Sequence, residues 1–222
     1  RIAQAVLVLT LSYLIFNFLF GKWKEYRQLK NAHSQAQLDL LKSKMDPHFF
    51  FNTLNNLYGL AIEKSDETAP IILKLSDVMR YTIYSGAKER VTLAEEIAHL
   101  HQYIEIHKIR YKKNVAIDIE EDIGNHEILI APLLFINLLE NAFKHGIESL
   151  TDNAFIRMEF LVTDQEVIFT IDNNYCPKEI STDGMGLTNL RQRLKLSYPK
   201  KHTFQIEKSE THYQATLKLF IS

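Results

Sequence analysis

The 222-residue chain carries 46% hydrophobic and 24% charged residues, the balance of a globular protein large enough for more than one packed unit, which excludes general disorder. A formal net charge of -1 supplies no overall field for nucleic acid or acidic surfaces, so binding has to be sought in local sites. The single cysteine, Cys176, excludes an intrachain disulfide, argues against a zinc site and fits a reducing compartment.

In chain order, the uncharged stretch Ile2 to Phe20 (IAQAVLVLTLSYLIFNFLF) comes first, followed by Lys22, Lys24, Arg27 and Lys30. A helix needs about 20 apolar residues to cross a bilayer, and cationic flanks stay on the cytoplasmic side. We therefore expect a transmembrane segment over residues 1–21 in the inner (cytoplasmic) membrane, with the rest of the chain facing the cytoplasm; the plainer alternative is a buried core helix. With Arg1 where an initiating methionine would stand and no small-residue cleavage site, an upstream portion is expected instead of a signal peptide. From Trp23 to Lys44, Leu29, Ala32, Ala36 and Leu40 recur at three- and four-residue spacing, predicting a linker helix over 22–44 that can pair with a copy of itself.

Met45 to Lys64 continues as helix, with Pro47 suited to an N-terminal turn or a local kink. At 3.6 residues per turn, His48, Asn52 and Asn55 share one face, while Phe50, Leu54, Leu57 and Ala61 form the opposite, apolar one. A neutral imidazole is a good nucleophile near neutral pH, so His48 is a candidate reactive group; the plainer alternative is a surface or capping histidine. Pro70 opens a second helix to about Tyr84, with Ile72, Leu75, Met79 and Ile83 on one stripe, and Thr92 with Glu95 forms a capping box for a helix over Leu93 to Tyr111. After Lys113 the period changes, giving the order β-α-β-β-α-β-β: strand Val115–Ile119, helix Pro132–Ile147, strands Phe155–Val162 and Glu166–Ile171, helix Met185–Ser197, and a hairpin of Thr203–Glu207 with Tyr213–Phe220. That order predicts an α+β fold, a mixed sheet with helices on one face.

The helix after Pro132 sets Asn137, Glu140, Asn141 and Lys144 at i, i+3, i+4 and i+7, a polar stripe among Phe135, Leu138, Leu139, Ala142 and Phe143. Amide and carboxylate oxygens suit Mg²⁺ or its waters, and a lysine suits phosphate; an ordinary solvated helix face is the competing reading. Downstream stand Asp172 in DNNYC and Gly184, Gly186 and Leu187 in DGMGLTNLRQRL, where backbone N–H groups at a helix start can approach phosphate.

PHFFFNTLNNLYGLA closely resembles the phosphoacceptor segment, of the form PHFLFNTLN, of sensor histidine kinases of the LytS type. The likeness continues through LSDVMRYTIY and VTLAEEIAHLHQYIEIHKIRY, with Arg80 and Arg110 at recurrent family positions. Departures are Asp46 where the family usually has Asn and Phe50 where it usually has Leu. NLLENAFKHG is similar to the N-box of the Bergerat-fold (GHKL) ATPases. The resemblance implies that His48 receives a phosphoryl group from ATP, that Asn141 binds Mg²⁺, that Lys144 and His145 lie near the phosphates, and that Asp172 accepts a hydrogen bond from the adenine amino group. Glu140 would polarise a water or hydroxyl, and Asn52 or Glu140 would orient the imidazole. Gly184, Gly186, Leu187 and Asn189, with Arg193, match the second glycine-rich segment. Where the family's first glycine box reads DNGxG, this chain has DNNYC, and Asn174 would take the turn glycine's positive φ.

The implied organisation is a membrane segment (1–21), a linker helix (22–44), a dimerisation and phosphoacceptor region (45–90) and an ATP-binding domain (91–222) with a connecting helix over 92–112. The implied function is a membrane-anchored homodimeric kinase that autophosphorylates on His48 and passes the group to an aspartate of a response regulator, one that in such systems often carries a LytTR-type DNA-binding domain. The alternative is an ATP-binding scaffold, or an ATPase of the Bergerat fold, without phosphotransfer.

Overall fold

The computed structural model describes residues 1, 2, 4, 13–17, 19–24, 26–27, 47–110, 115–148, 150, 153–176 and 185–221. The chain divides into two compact units, Arg1–Phe50 and Phe51–Ser222. In the first, the described residues between 13 and 27 are helical; Phe16 stacks on Phe20, and the Arg27 guanidinium lies 4.3 Å from the Trp23 ring centroid. Among the described residues, no helix is long and apolar enough to cross a membrane. Parts of the predicted segment 1–21 and most of the linker 22–44 lie outside the described residues.

Helix α1 (Pro47–Ile62) starts at the proline, whose fixed φ and missing N–H cost nothing in a first turn. Its buried positions are Phe49, Thr53 and Leu57, so of the expected face Phe50, Leu54, Leu57 and Ala61 only Leu57 is buried. Leu54 is 54% exposed because α1 is apolar on two sides, and periodicity alone does not say which side is covered. Helix α2 (Thr68–Tyr84) behaves alike: Ile71, Leu75, Val78 and Thr82 are buried, whereas Ile72 and Met79 of the expected stripe are exposed.

The buried seam of α2 packs on helix α3 (Leu93–Arg110), which runs antiparallel to it. Tyr81 stacks on His99 at 4.4 Å, and Lys74 reaches Glu105 at 3.3 Å. The capping box forms as expected: Thr92 N–H donates to Glu95 Oε2 at 2.9 Å, and Glu95 N–H donates to Thr92 Oγ1 at 3.2 Å.

Strand β1 (Val91–Thr92) precedes α3 and pairs antiparallel with β3 (Leu129–Ile130), a short pair that period-two reading does not detect. The main sheet contains β2 (Ala116–Ile123), β4 (Phe155–Val162), β5 (Glu166–Asn174), β6 (His202–Lys208) and β7 (His212–Phe220), in the order β2-β4-β5-β7-β6. Only β2 and β4 run parallel, so the sheet is mixed and the α+β expectation holds. Helix α4 (Ile136–Ala142) and helix α5 (Met185–Ser197) cover one face. There Ile156, Met158, Phe160 and Val162 lie beside Val167, Phe169, Ile171 and Asn173, and these beside Tyr213, Ala215, Leu217 and Leu219, all buried. Phe135, at the start of α4, meets Phe160 edge-on at 5.3 Å and Phe169 at 4.9 Å, seating the helix on the sheet.

Candidate nucleotide-binding and phosphoacceptor site

The helix expected from Pro132 begins only at Ile136, because Leu133 is left-handed (φ 56°). A branched residue at positive φ is strained, and here Glu96 holds it. The Glu96 carboxylate, 1% exposed, accepts Leu133 N–H at 2.6 Å, Leu134 N–H at 3.2 Å and the Tyr81 hydroxyl at 2.6 Å. Burial raises its pKa, against the lowering pull of these hydrogen bonds and of Arg193; burial in turn lowers the Arg193 pKa and Glu96 opposes that. Arg193, which the sequence placed only by resemblance, thus has a physical role as the positive charge facing Glu96.

From that anchored start, α4 buries Ile136, Leu138, Leu139 and Ala142 and leaves Asn137, Glu140 and Asn141 half-buried on its other side. Asn137 Nδ2 donates back to Leu133 O at 2.8 Å, which leaves its amide oxygen as the group available to a ligand. At Phe143 the helix widens into a π-helical turn, Phe143–Ile147, in which Lys144 is exposed and His145 half-buried. π-turns recur at functional sites, and this one carries both expected phosphate-side residues. Phe143 itself is sandwiched from α3 by His107, stacked at 3.9 Å, and Tyr103, edge-on at 5.9 Å.

The π-turn closes directly on the end of β5. A Cβ on Gly146 would lie 2.8 Å from Asn173 Nδ2 and 3.0 Å from Asn174 O, so only glycine allows this approach. Strand β5 runs three residues further than expected, through Asp172, Asn173 and Asn174. Asp172 therefore stands between Arg157 and Gln214 on the face without helices, and Asn173 is the residue that faces α4. Asn173 is 1% exposed; its Nδ2 donates to Asn174 O at 3.0 Å and its Oδ1 has no partner. Nor does Asn174 take a positive φ: it pairs with His212 as the last strand residue, accepts Phe155 N–H at 2.9 Å and donates to Asn153 O at 2.8 Å. The positive φ belongs instead to Asn153, so the expected role of Asn174 as a turn residue gives way to that of a clip between β5 and the start of β4.

Of the second glycine-rich segment, Gly184 lies outside the described residues. Gly186, in the first turn of α5, has nothing within 4 Å of where a Cβ would be, Leu187 is buried, and Asn189 is exposed. Tyr198, just past α5, fixes this helix end: its hydroxyl accepts Arg90 Nη1 and Ala131 N–H, both at 2.8 Å.

His48 is the second residue of α1, with Asn52 half-buried one turn on; the His48 side chain lies outside what the structure describes. His48 belongs to the first unit, whereas Asn137, Glu140, Asn141, Lys144, His145, Asn173, Gly186, Leu187 and Asn189 belong to the second. Among the described residues no cluster of three or more His, Cys, Asp or Glu side chains could hold a metal. The half-buried polar groups along α4 are instead the amides of Asn137 and Asn141 and the Glu140 carboxylate, whose oxygens are hard donors of a kind that could hold Mg²⁺ with its own waters. Sequence alone does not single out two of these residues: Glu96 stands beside the capping Glu95 and Asn173 beside the charged Asp172, although strict alternation from Val167 marks Asn173 as inward-facing.

A histidine kinase family model matches residues 36–115. The sensor histidine kinase BtsS of Escherichia coli (strain K12) is 25% identical over 199 residues, covering 88% of this chain and 35% of that protein. The sensor protein LytS of Oceanobacillus iheyensis is 26% identical over 77% of this chain and 32% of its own length. The sensor histidine kinase/phosphatase LytS of Staphylococcus aureus (strain Mu50) is 25% identical over 79% and 33%. The chain spans about a third of the length of the curated relatives it matches. Among solved structures, the catalytic domain of histidine kinase ThkA superposes with a TM-score of 0.45 and 20% identity, covering 59% of this chain and 93% of that one. By sequence, the chain is similar to sensor histidine kinases of the LytS and BtsS kind over most of its length.

Proposed function

We propose that this chain is the kinase portion of a membrane-anchored sensor: ATP bound at α4 phosphorylates His48, and the phosphoryl group then passes to an aspartate of a response regulator. The observation that carries this reading is the position of His48. It heads α1 inside the matched segment 36–115, in a protein whose second unit presents amide and carboxylate oxygens along an otherwise buried helix. In phosphoryl transfer the protein's contribution is positioning and charge neutralisation. Asn137, Glu140 and Asn141 would hold Mg²⁺ through oxygens or waters, with Asn141 the direct ligand; when bound, the ion neutralises charge on the transferring phosphoryl group. Lys144 and His145 supply cationic or hydrogen-bonding groups to the phosphates, and the α5 start at Gly186, Leu187 and Asn189, with Gly184 ahead of it, supplies backbone N–H groups. Asn52 or Glu140 orients the imidazole.

Large apolar side chains left open on α1 (Phe51, Leu54, Tyr58 and Ile62) and on α2 (Ile72, Leu73, Met79 and Tyr84) support a homodimer through region 45–90. The uncharged run 2–20 with its basic flank supports anchoring in the inner membrane, with the kinase portion in the cytoplasm. A response regulator, possessing a LytTR-type DNA-binding domain in many related systems, is the expected acceptor, and any contact with DNA is then indirect.

The test is incubation of the chain with γ-labelled ATP. Acid-labile, base-stable label on the protein is expected, lost in His48→Gln while nucleotide still binds, and lost in Asn141→Ala together with Mg²⁺-dependent binding. The alternative, an ATP-binding scaffold or plain ATPase, is favoured by the absence of a glycine turn at Asn174, and it predicts phosphate release unchanged in His48→Gln.

A further inference from the structure

We propose that Tyr81 and Glu96 are positioning residues of the nucleotide site, acting through Leu133 on the amide of Asn137, so that the setting of α2 and the nucleotide affinity of α4 are coupled. The inference rests on the reading of α4 as a nucleotide site. An unbroken chain of short hydrogen bonds carries it. The Tyr81 hydroxyl donates to Glu96 Oε1 at 2.6 Å, the same oxygen accepts Leu133 N–H at 2.6 Å, and Leu133 O accepts Asn137 Nδ2 at 2.8 Å. These bonds lead from the last turn of α2 to the first polar position of the α4 stripe.

A second contact converges on the same residue. The turn Ser85–Ala87 continues α2, and a Cβ on its Gly86 would lie 2.6 Å from Leu133 Cδ1, so the end of α2 meets Leu133 through its side chain as well as through the carboxylate. Arg193 of α5 is the positive charge facing Glu96, which brings the helix that starts beside Gly186 to the same joint.

Coupling needs an element with two arrangements, and the segment before α4 is one. Its local preference is for helix, since Pro132 suits a first helical position and leucine is a strong helix former. Leu133 instead stands at φ 56°, where a branched side chain is strained, so the hydrogen bonds to Glu96 work against the local preference. Were the helix to run back to Pro132, Leu133 O would accept the backbone N–H of Asn137, its partner four residues on, and the Asn137 side chain would be released. In the observed arrangement Nδ2 is committed to Leu133 O and the amide oxygen is left for a ligand. Whatever shifts Tyr81 moves the balance between the two arrangements. By linkage, a nucleotide complex that takes the amide oxygen favours the observed setting of α2.

The test measures the affinity of the full chain, in detergent, for ATP with Mg²⁺ in wild type, Tyr81→Phe, Glu96→Gln and Val78→Ala, with hydrogen exchange from Ala131 to Leu139 read without nucleotide. Tyr81→Phe keeps the ring that stacks on His99 and removes only the hydroxyl. Val78→Ala destabilises the same helix from a buried position outside the chain of bonds. Affinity should fall about threefold or more in Tyr81→Phe and further in Glu96→Gln, the effect of one lost bond to a charged group on a strained arrangement. Exchange from Ala131 to Leu139 should quicken in the same order, whereas Val78→Ala should leave both readings within about twofold of wild type. A merely structural Tyr81 predicts that Tyr81→Phe and Val78→Ala behave alike. An affinity unchanged in Tyr81→Phe, one that falls there without faster exchange, or an equal loss in Val78→Ala would therefore overturn the proposal. Tyr81→Phe gives the result even if Glu96→Gln does not fold. Weaker binding and faster exchange in Tyr81→Phe with no label on His48 would sink the kinase reading and leave the joint standing. Label on His48 with affinity indifferent to Tyr81 would do the reverse, and a wild type that binds no ATP would sink both.

Discussion

Glu96 joins three parts of the second unit through one carboxylate: α2 by way of Tyr81, α3 where it resides, and the left-handed Leu133 that precedes α4. Tyr81→Phe removes a single hydrogen bond to a charged group and should lower the unfolding free energy by about 1–3 kcal/mol. Glu96→Ala leaves two buried N–H groups without an acceptor and should cost more, about 3 kcal/mol or above, with ATP affinity falling as the start of α4 loosens. Denaturant titration measures both. One turn along α3, burial holds the pKa of His99 down at about 4, against an ordinary 6.5. Its contribution to stability is therefore present above pH 6.5 and lost as pH falls towards 4, where the unfolded chain binds the extra proton, by roughly 3 kcal/mol. Glu96, its pKa raised, works in the opposite sense: its contribution is present below 4.5 and lost as pH rises through the folded pKa. Since Glu96 is common to both proteins, the difference in stability between wild type and His99→Phe should shrink by that amount between pH 6.5 and 4. A difference that stays flat would show that His99 titrates normally.

Glycines separate packing from ligand chemistry at the scale of the element. Gly146→Ala forces a methyl against Asn173 and the backbone of Asn174, so β5 or the π-turn must move; a loss of about 1–3 kcal/mol is expected, with ATP binding lost alongside. Gly186→Ala meets nothing within 4 Å and lies in a helix, where alanine is favoured by about 1 kcal/mol. It should leave the melting temperature equal or higher while weakening ATP binding, a split that no packing role explains. Much of this level was legible in the sequence. Met185–Ser197 and Phe155–Val162 were read to the residue because their periodicities are unbroken and turn residues bound them. What was not legible depends on partners distant in the chain. The late start of α4 is set by Glu96, thirty-seven residues before Leu133, and the extension of β5 through DNN is set by pairing with β7 and the Asn174 clip, where local propensity favours a turn. The polar stripe of α4 emerged as expected, whereas the covered sides of α1 and α2 did not, since both helices are apolar on two faces and single-sequence periodicity is blind to which one a partner occupies.

For the whole molecule, the open apolar sides of α1 and α2 are the feature most in need of a partner, with Phe51 at 68% and Tyr58 at 71% exposure. If they form a dimer, Leu54→Glu with Leu73→Glu should convert a concentration-independent dimer into monomers in sedimentation equilibrium while nucleotide binding, carried by the second unit alone, persists. The two units divide the proposed reaction between them: the acceptor at the head of α1, the donor site on α4, β5 and α5. The most direct test of that division is to find where the phosphoryl group goes. After incubation with ATP and Mg²⁺, the protein is digested at alkaline pH and the phosphopeptides are sequenced by mass spectrometry. The account predicts one phosphohistidine, at His48, absent in Asn141→Ala. Phosphate on another residue, or none on a wild-type protein that binds ATP, would contradict it.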